Sequence, residues 1–382
     1  MRVAMVDPSL FTLPYDRALA SAMGRAGHEV TLFGRRPGPD DNGAEGISLA
    51  AHFYRMADSR AARGLPTPVR LGLKGLDHAA SMLLLLRRLW REHPDVIHFQ
   101  WLPLPLVDRR LLGMFRRIAP LVLTVHDTNP FNGDPSASLQ QRGFFRSLDE
   151  FDRLIVHTAQ GRERLCSAGI LANRILVLPH GMLLDPPPYV DDPMTGSLTF
   201  LLFGKVKPYK GLDLLIEAFA SLSPILRGDA RIRVVGKPYM DLAPLQALAE
   251  RLGVADRLVI DSRFVGDDEV AGLFGPSTIA VFPYREIEAS GVLSIALACG
   301  RPVIASNLGN FAETITDGVQ GHLVPPGNVP ALAAAMTHML SDRGFAATCS
   351  REARALVDAV PSWDKIAALT ADAYRSAGRL AA

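Results

Sequence analysis

Short apolar runs alternate with amphipathic stretches through the first half of the chain. Residues 15–26 and 75–92 have the mixed apolar and polar pattern of helices, and the runs between them have the length and composition of buried strands. Strands that alternate with helices indicate a parallel sheet with right-handed crossovers. The predicted strands are RVAMVD, HEVTLFG, DVIHFQW, LVLTVHD, RLIVHT and NRILVLPHG.

A proline-rich segment, residues 184–196, interrupts this pattern. Its proline triplet and three aspartates disfavour helix and strand, so we expect a linker. The alternation resumes at residue 197, which predicts an α/β protein of two Rossmann-like domains, residues 1–183 and 197–360, with parallel sheets facing an interdomain cleft. A final helix within residues 361–382 is expected to cross back to the first domain.

Composition narrows the class of protein. Apolar residues are 48% and charged residues 21% of the 382 residues, as in globular proteins. The three cysteines are far apart and form no CxxC pair, which disfavours a disulfide scaffold or zinc ribbon and fits a reducing compartment. The first apolar run meets Asp7 too soon for a signal peptide, and SMLLLL is too short to cross a bilayer. We expect a soluble, cytoplasmic protein, at most peripheral on the inner face of the cell membrane.

The net charge of +2 argues against a general nucleic-acid binder. Basic residues are nevertheless concentrated between Arg55 and Arg117, with 12 Lys and Arg against 5 Asp and Glu. This bias fits either a solvated basic face or contact with an anionic acceptor or lipid. Residues 107–121 interleave apolar residues with two Arg pairs, which fits either an interfacial helix at an anionic membrane or a solvated helix packed on the sheet.

The segment FGKVKPYKG, residues 203–211, is the strongest candidate for phosphate chemistry. A predicted strand ends at Gly204, then Lys205, Lys207 and Lys210 precede a helix. Ammonium groups and helix amides at such a position suit a diphosphate. The alternative is a solvent-exposed basic turn. The spacing is not that of a P-loop, and no GxGxxG follows the first strand, which disfavours a dinucleotide site.

A second candidate segment is PYREIEASGVLSIALACGRPVIAS, residues 283–306. Ser290 is positioned as the N-cap of an apolar helix, and Gly291 allows backbone amides to approach a ligand. Glu286 or Glu288, just before it, could accept hydrogen bonds from sugar hydroxyls. The alternative is an ordinary strand–loop–helix connection with surface acids.

Nearly the whole chain resembles the GT-B glycosyltransferases of the large retaining family GT4. The resemblance is carried by VHD at 125–127, by VLPHG at 177–181 and by the GKxxxxKG loop that begins at Gly204. Its most specific part is GVLSIALACGRPVIAS followed by GNFAETITDGVQGHLVPPGN. The resemblance implies a GT-B fold and transfer of a sugar, with retention, from a UDP- or GDP-linked donor to a saccharide or lipid-linked acceptor.

The resemblance also implies roles for individual residues. Lys205 and Lys210 would contact the diphosphate, and His126 would lie near the donor sugar, although a buried structural histidine is the alternative. Such enzymes are usually metal-independent and need no further cofactor, because cationic side chains and a helix dipole replace the metal. The remaining donor-binding residues would be Gly204, the backbone of Ser290, Gly291 and Val292, and Glu313, which would order the donor loop.

The sequence departs from the family pattern in two places. The second Glu of the Glu-x7-Glu pattern falls at Ile295, and the first falls at Ile287, so Glu286 or Glu288 would substitute, with Glu288 preferred. The loop after the first strand lacks the usual glycines, and residues 8–16 are expected instead to shape an acceptor site.

Two other functions stay open: a sugar-nucleotide epimerase of GT-B fold and a catalytically degenerate partner subunit.

Overall fold

The computed structural model describes residues 1–38, 47–128, 137–189, 191 and 194–380. The chain forms two compact units. The first contains Met1–Gly181 and Pro361–Ala382, and the second contains Met182–Val360. The described residues of the predicted linker 184–196 therefore group with the second unit; residues 190, 192 and 193 lie outside the described part.

A seven-stranded sheet forms the centre of the first unit. All of its strands are parallel, in the order β3-β2-β1-β4-β5-β6-β7. The central strands are buried on both faces, as expected for a sheet covered by helices on each side. The strands are β1 (Arg2–Asp7), β2 (Glu29–Arg35), β3 (Ser48–Phe53), β4 (Val96–Phe99), β5 (Leu121–Val125), β6 (Arg153–Val156) and β7 (Ile175–Val177).

Six helices in the described ranges precede the end of this sheet along the chain. They are α1 (Leu13–Arg25), α2 (Arg60–Arg63), α3 (Thr67–Glu92), α4 (Pro105–Arg116), α5 (Ala137–Ser147) and α6 (Ala159–Ser167). Helix α3 begins at Thr67, before residue 75, where the predicted helix begins. Helix α4 ends at Arg116, before residue 121, the end of the segment predicted as a helix, because strand β5 begins at Leu121. The last helix of the chain, Trp363–Leu380, packs against α1 within the first unit.

A six-stranded parallel sheet forms the centre of the second unit, in the order β10-β9-β8-β11-β12-β13. Apolar clusters pack on both of its faces. Its strands are β8 (Leu198–Phe203), β9 (Ala230–Val235), β10 (Leu258–Asp261), β11 (Thr278–Phe282), β12 (Val303–Ser306) and β13 (Gly321–Val324). The two parallel sheets confirm the predicted α/β architecture.

In the described part of residues 182–380, eight helices belong to the second unit and one belongs to the first. In chain order they are α7 (Leu212–Ala220), α8 (Pro224–Gly228), α9 (Ala243–Arg251), α10 (Asp267–Leu273), α11 (Gly291–Ala298), α12 (Gly309–Thr314), α13 (Val329–Ser341), α14 (Arg343–Ala355) and α15 (Trp363–Leu380). None of the helices in the described ranges is both long enough and apolar enough to span a bilayer.

Candidate functional site

The two predicted phosphate-binding segments follow neighbouring strands of the second sheet. Strands β8 and β11 are paired where the strand order reverses direction. In open α/β sheets, ligands bind beyond the carboxyl ends of the strands at such a reversal. Residues 204–211 leave β8 at this edge, and residues 283–290 leave β11. The topology therefore brings together the two segments that the sequence singled out.

Lys210 is the buried cation of this edge. It ends a short 3₁₀ turn, Pro208–Lys210, and only 4% of its surface is exposed. Its Nζ donates a hydrogen bond to the carbonyl of Phe203 at 2.9 Å and lies 5.2 Å from the centre of the Tyr284 ring. Burial, and then the charges of Lys205 and Lys207, lower the pKa of Lys210 to about 7. An anion beside it would reverse that effect.

Two glycines allow the lysine loop to approach its neighbours. Gly204 has φ +103°, and a Cβ there would lie 3.0 Å from Lys210 Nζ and 3.5 Å from Cγ2 of Val292. Gly211 has φ +67°, and a Cβ there would lie 2.1 Å from the carbonyl oxygen of Pro283. The backbone conformation and the close contacts both require glycine. The loop is thereby held against the connection that follows β11.

The other cations of the loop are arranged differently. Lys205 is exposed, and Lys207 is half-buried with its Nζ 5.9 Å from the Tyr239 ring centre. Arg285 forms an ion pair with Asp213, with Nη2 and Oδ2 2.5 Å apart. The Arg285 amide also donates to the carbonyl of Tyr209 at 2.7 Å. Arg285 therefore ties the two segments to each other.

The start of α11 is organised by Asn310, which the sequence did not single out. Ser290 occupies the N-cap position, but its side chain makes no capping hydrogen bond. Instead the Ser290 amide donates to Asn310 Oδ1 at 3.0 Å, and Asn310 Nδ2 donates to the Ser290 carbonyl at 3.3 Å. The Asn310 amide donates to the carbonyl of Glu288 at 2.8 Å. Helix α12 thus fixes the backbone before α11 through the side chain and the amide of Asn310.

The acids near this loop differ in exposure. Glu288 is 1% exposed and Glu286 is half-buried. Glu313 lies on α12 and is exposed. The hydrogen bonds from α12 to the segment before α11, described above, come from Asn310, one turn before Glu313. Ile295 is buried in the core of the second unit, where an acid would be costly.

In the first unit, polar residues follow four adjacent strands at the carboxyl edge. His126, after β5, is half-buried; its Nε2 lies 3.1 Å from Gln100 Oε1 and its Nδ1 lies 3.1 Å from His157 Nε2. His157 Nδ1 lies 3.0 Å from the carbonyl of Leu178. Both ring nitrogens of His126 are therefore occupied within this row, which we call the histidine row: Gln100, His126, His157 and the Leu178 carbonyl.

An aromatic cluster packs on the histidine row. The Tyr15 ring lies 4.8 Å from the His126 ring, 5.3 Å from the His180 ring and 5.2 Å from the Trp363 ring. Burial, and then the neighbouring histidines, lower the pKa of His126 well below its ordinary value. Burial lowers the pKa of His157 to about 3. Both shifts favour the neutral form of the two histidines.

The glycine-free loop after β1 is closed by a carboxylate. Asp7 Oδ2 accepts from the Thr12 amide at 2.9 Å, and Thr12 Oγ1 lies 3.2 Å from Asp16 Oδ1. Both aspartates are fully buried. Burial raises the pKa of Asp7, and burial followed by the charge of Asp7 raises the pKa of Asp16 well above its usual range. Asp16 therefore carries a proton at conditions where an exposed aspartate is ionised.

An aromatic pair lies at the same edge. Phe11 stacks on Trp101 with ring centres 4.6 Å apart, and 42% of Phe11 is exposed. These residues follow β1 and β4, which flank the strand-order reversal of the first sheet. Among the residues that the structure describes, no group of three or more His, Cys, Asp or Glu side chains could hold a metal ion.

Comparison with known proteins identifies relatives for both units. The family model of glycosyl transferases group 1 matches residues 197–342, and that of glycosyltransferase family 4 matches residues 17–185. A D-inositol 3-phosphate glycosyltransferase from Geodermatophilus obscurus is 31% identical over 316 residues, which are 75% of this chain and 67% of that protein. A GDP-mannose-dependent α-(1-6)-phosphatidylinositol monomannoside mannosyltransferase from Mycobacterium tuberculosis is 32% identical over 46% of this chain and 47% of its own length.

Solved structures agree on the fold. Sucrose-phosphate synthase from Thermosynechococcus elongatus has a TM-score of 0.78 at 19% identity and covers 98% of each chain. HepE of Anabaena, solved with UDP and glucose, has a TM-score of 0.77 at 19% identity and covers 98% of this chain and 100% of its own. The matches to D-inositol 3-phosphate glycosyltransferases of two Streptomyces species span only 40–41% of those relatives. With both halves matched, the chain belongs to the group 1, family 4 glycosyltransferases and has their GT-B fold.

Proposed function

We propose that the chain transfers a glycosyl group from a UDP- or GDP-linked sugar to a saccharide or lipid-linked acceptor, with retention of anomeric configuration. The observation that carries this proposal is Lys210, an amine buried at the strand-order reversal and adjacent to the start of α11. The names of relatives support the donor class: one is GDP-mannose-dependent, and HepE was solved with UDP-glucose.

In this proposal the diphosphate binds Lys205 and Lys210 and the amides at the start of α11. An adjacent anion favours the charged form of an amine, so donor binding raises the pKa of Lys210 and protonates it. As the anomeric C–O bond breaks, negative charge grows on the β-phosphate, where these groups stabilise it. The acceptor oxygen attacks from the face that the phosphate leaves, and its proton passes to the departing phosphate.

Three further assignments belong to the proposal. His126 contacts the donor sugar, and Glu288 takes the place of the first acid of the family pattern. The acceptor binds at the carboxyl edge of the first sheet, where the exposed face of Phe11 offers an apolar surface. No metal is required, because the lysine loop carries the charge that would otherwise be supplied by a divalent cation.

A turnover screen with UDP- and GDP-sugars tests the proposal. We expect transfer from at least one donor, unchanged by EDTA, and a loss of activity in Lys210→Met. Release of an epimerised sugar without any acceptor would instead indicate an epimerase. Absence of a thermal shift with UDP, GDP or ADP, at concentrations where a bound ligand stabilises by about 2.7 kcal/mol, would indicate a degenerate partner subunit.

We also propose that the first unit contacts an anionic membrane surface, chiefly through α3. Along this helix Val69, Leu76, Leu83 and Trp90 recur every seven residues and are all exposed, Leu76 by 72%. Two helical turns separate successive members, so they form one apolar stripe. Arg87 and other basic residues accompany the stripe, and the only exposed acid of α3, Glu92, is paired with Arg88.

The predicted interfacial segment on α4 is less suited to this contact. Leu112 and Phe115 are buried, and Arg116 pairs with Asp152 at 2.6 Å. We therefore expect a Leu76→Ser/Leu83→Ser variant to lose flotation with phosphatidylglycerol vesicles, and Leu106→Ser on α4 to keep it. Flotation that is equal on neutral and anionic vesicles would contradict the proposal. A shift of the α3 variant from dimer to monomer, without any lipid binding, would instead assign the stripe to a second copy of the chain.

A further inference from the structure

The histidine row ends on a group that can only accept a hydrogen bond. The Leu178 carbonyl has no proton, so the His157 Nδ1 beside it carries one. A neutral imidazole has a single N–H, which leaves His157 Nε2 as an acceptor. The proton between the two rings therefore belongs to Nδ1 of His126. The backbone at one end of the row thus sets the direction of each hydrogen bond along it.

The rule of one N–H per neutral ring also fixes the state of Nε2 of His126. When Nδ1 carries the only proton, Nε2 presents a lone pair toward Gln100. The Gln100 amide then turns its NH2 group to His126 and its oxygen to His98, whose Nδ1 lies 3.5 Å from the other end of the amide. This rotation exchanges the two ends of the amide without moving the His126 ring. The alternative leaves the Gln100 oxygen beside Nε2 of His126, which then needs a proton of its own. The rings of His126 and His157 would together carry three protons, so one of them would be a charged imidazolium.

Burial opposes that charged alternative. His157 is 5% exposed, and its described contacts are with the rings of Tyr15, His126 and His180 and with the Leu178 carbonyl. Within the described contacts, neither aspartate of the β1 loop is hydrogen-bonded to the histidine row. A positive charge enclosed by neutral groups is costly to bury. The neutral row, with its single direction of donation, is the favoured state.

We propose that His157 is a positioning residue that holds His126 in the Nδ1-protonated tautomer, so that His126 meets a ligand as a hydrogen-bond acceptor. This inference rests on the proposed contact between His126 and the donor sugar: there, a sugar hydroxyl replaces the Gln100 amide and donates to Nε2. The one N–H of neutral His126 is donated to His157, so His126 has no further N–H to give to the departing phosphate. Its role is to orient the sugar, and the protons of the reaction move elsewhere.

Nitrogen NMR of the histidine-labelled full chain without any donor tests the tautomer directly. In wild type we expect the His126 signals, assigned by their loss in His126→Gln, to show a protonated Nδ1 and a bare Nε2. In His157→Phe the aromatic packing remains but the acceptor is gone, so His126 should change to the Nε2-protonated form. His157→Gln, whose amide can accept from His126 and donate to Leu178, should restore the wild-type pattern.

His180→Phe is the matched control, because His180 packs on the row but bonds only the carbonyl of Gly181 in the described contacts. It should leave the His126 tautomer unchanged. An Nε2-protonated His126 in wild type, or the same tautomer in wild type and His157→Phe, would overturn the inference. If wild type and the His157 variants show the expected tautomers but His126→Gln keeps full turnover, only the proposed sugar contact is contradicted. The failure of the inference and the failure of the sugar contact are therefore distinguishable.

Discussion

Replacing Lys210 by methionine should stabilise the free protein and abolish most of its activity. The folded-state pKa of this amine is lowered from 10.5 to about 7. Each tenfold loss of proton affinity corresponds to about 1.36 kcal/mol, so keeping the ammonium buried near pH 7 costs on the order of 4 kcal/mol. Methionine fills a similar volume without that cost, although it leaves the Phe203 carbonyl without this donor, which costs about 1–3 kcal/mol.

The net gain is therefore about 1–3 kcal/mol, or a rise in Tm of a few degrees at neutral pH. The sign with pH follows from proton binding: between pH 7 and 10.5 the unfolded chain holds a proton at Lys210 that the folded chain has released, so wild-type stability rises with pH. The stability advantage of Lys210→Met over wild type should therefore shrink as the pH rises over that range. Calorimetric melts of both proteins from about pH 7 to about pH 10 measure this difference in Tm.

The same variant loses a cation that acts on the leaving phosphate. By analogy with other electrostatic stabilisers, about 2–4 kcal/mol of transition-state stabilisation should disappear, which lowers kcat/KM by roughly 30- to 1000-fold. Lys207→Met is the control for stability, because this lysine is only half-buried. If Lys210→Met melts below wild type at neutral pH, or retains its turnover, the reasoning about a costly buried cation kept for catalysis is refuted.

Three further changes follow from the contacts of the loops. Gly204→Ala places a Cβ 3.0 Å from Lys210 Nζ at φ +103°, so we expect a loss of about 1 kcal/mol or more in thermal melts together with reduced turnover; a neutral outcome would mean that the loop adjusts freely. Asn310→Ala removes two hydrogen bonds to Ser290 and should raise the donor KM more than it lowers kcat. Asp16→Asn should stabilise increasingly as pH rises, because the raised pKa of Asp16 makes its ionisation costly in the folded state; melts from about pH 4 to about pH 8 that stay parallel to wild type would contradict this.

Most strands were predictable because parallel strands buried on both faces form continuous apolar runs. Strand β3, SLAAHF, was missed: it lies at the edge of the sheet, is half-exposed along most of its length and lacks such a run. The start of α3 was missed because Pro68 and Gly72 are signals that end helices. Proline in the first turn needs no amide, so the helix starts around it.

The candidate site was predictable in position more than in detail. The spacing of the lysines located the loop after β8, but the burial of Lys210 depends on Tyr284, which is 74 residues away in the chain. Asn310 lies in the block GNFAETITDGVQGHLVPPGN, but nothing in that block marked its role, and His157 lies in no distinctive motif. Their partners are 20 and 31 residues away in the chain. The signal for His157 was its place near the carboxyl end of the predicted strand RLIVHT, at the edge where the carboxyl ends of parallel strands converge.

Calorimetric titration of nucleotides tests the central claim most directly. Wild-type protein and Lys210→Met are titrated with UDP and UMP, and with GDP and GMP. If Lys210 binds the β-phosphate, wild type should bind one diphosphate more tightly than its monophosphate, and Lys210→Met should lose most of that preference while keeping its affinity for the monophosphate. An equal preference for the diphosphate in both proteins would contradict the account.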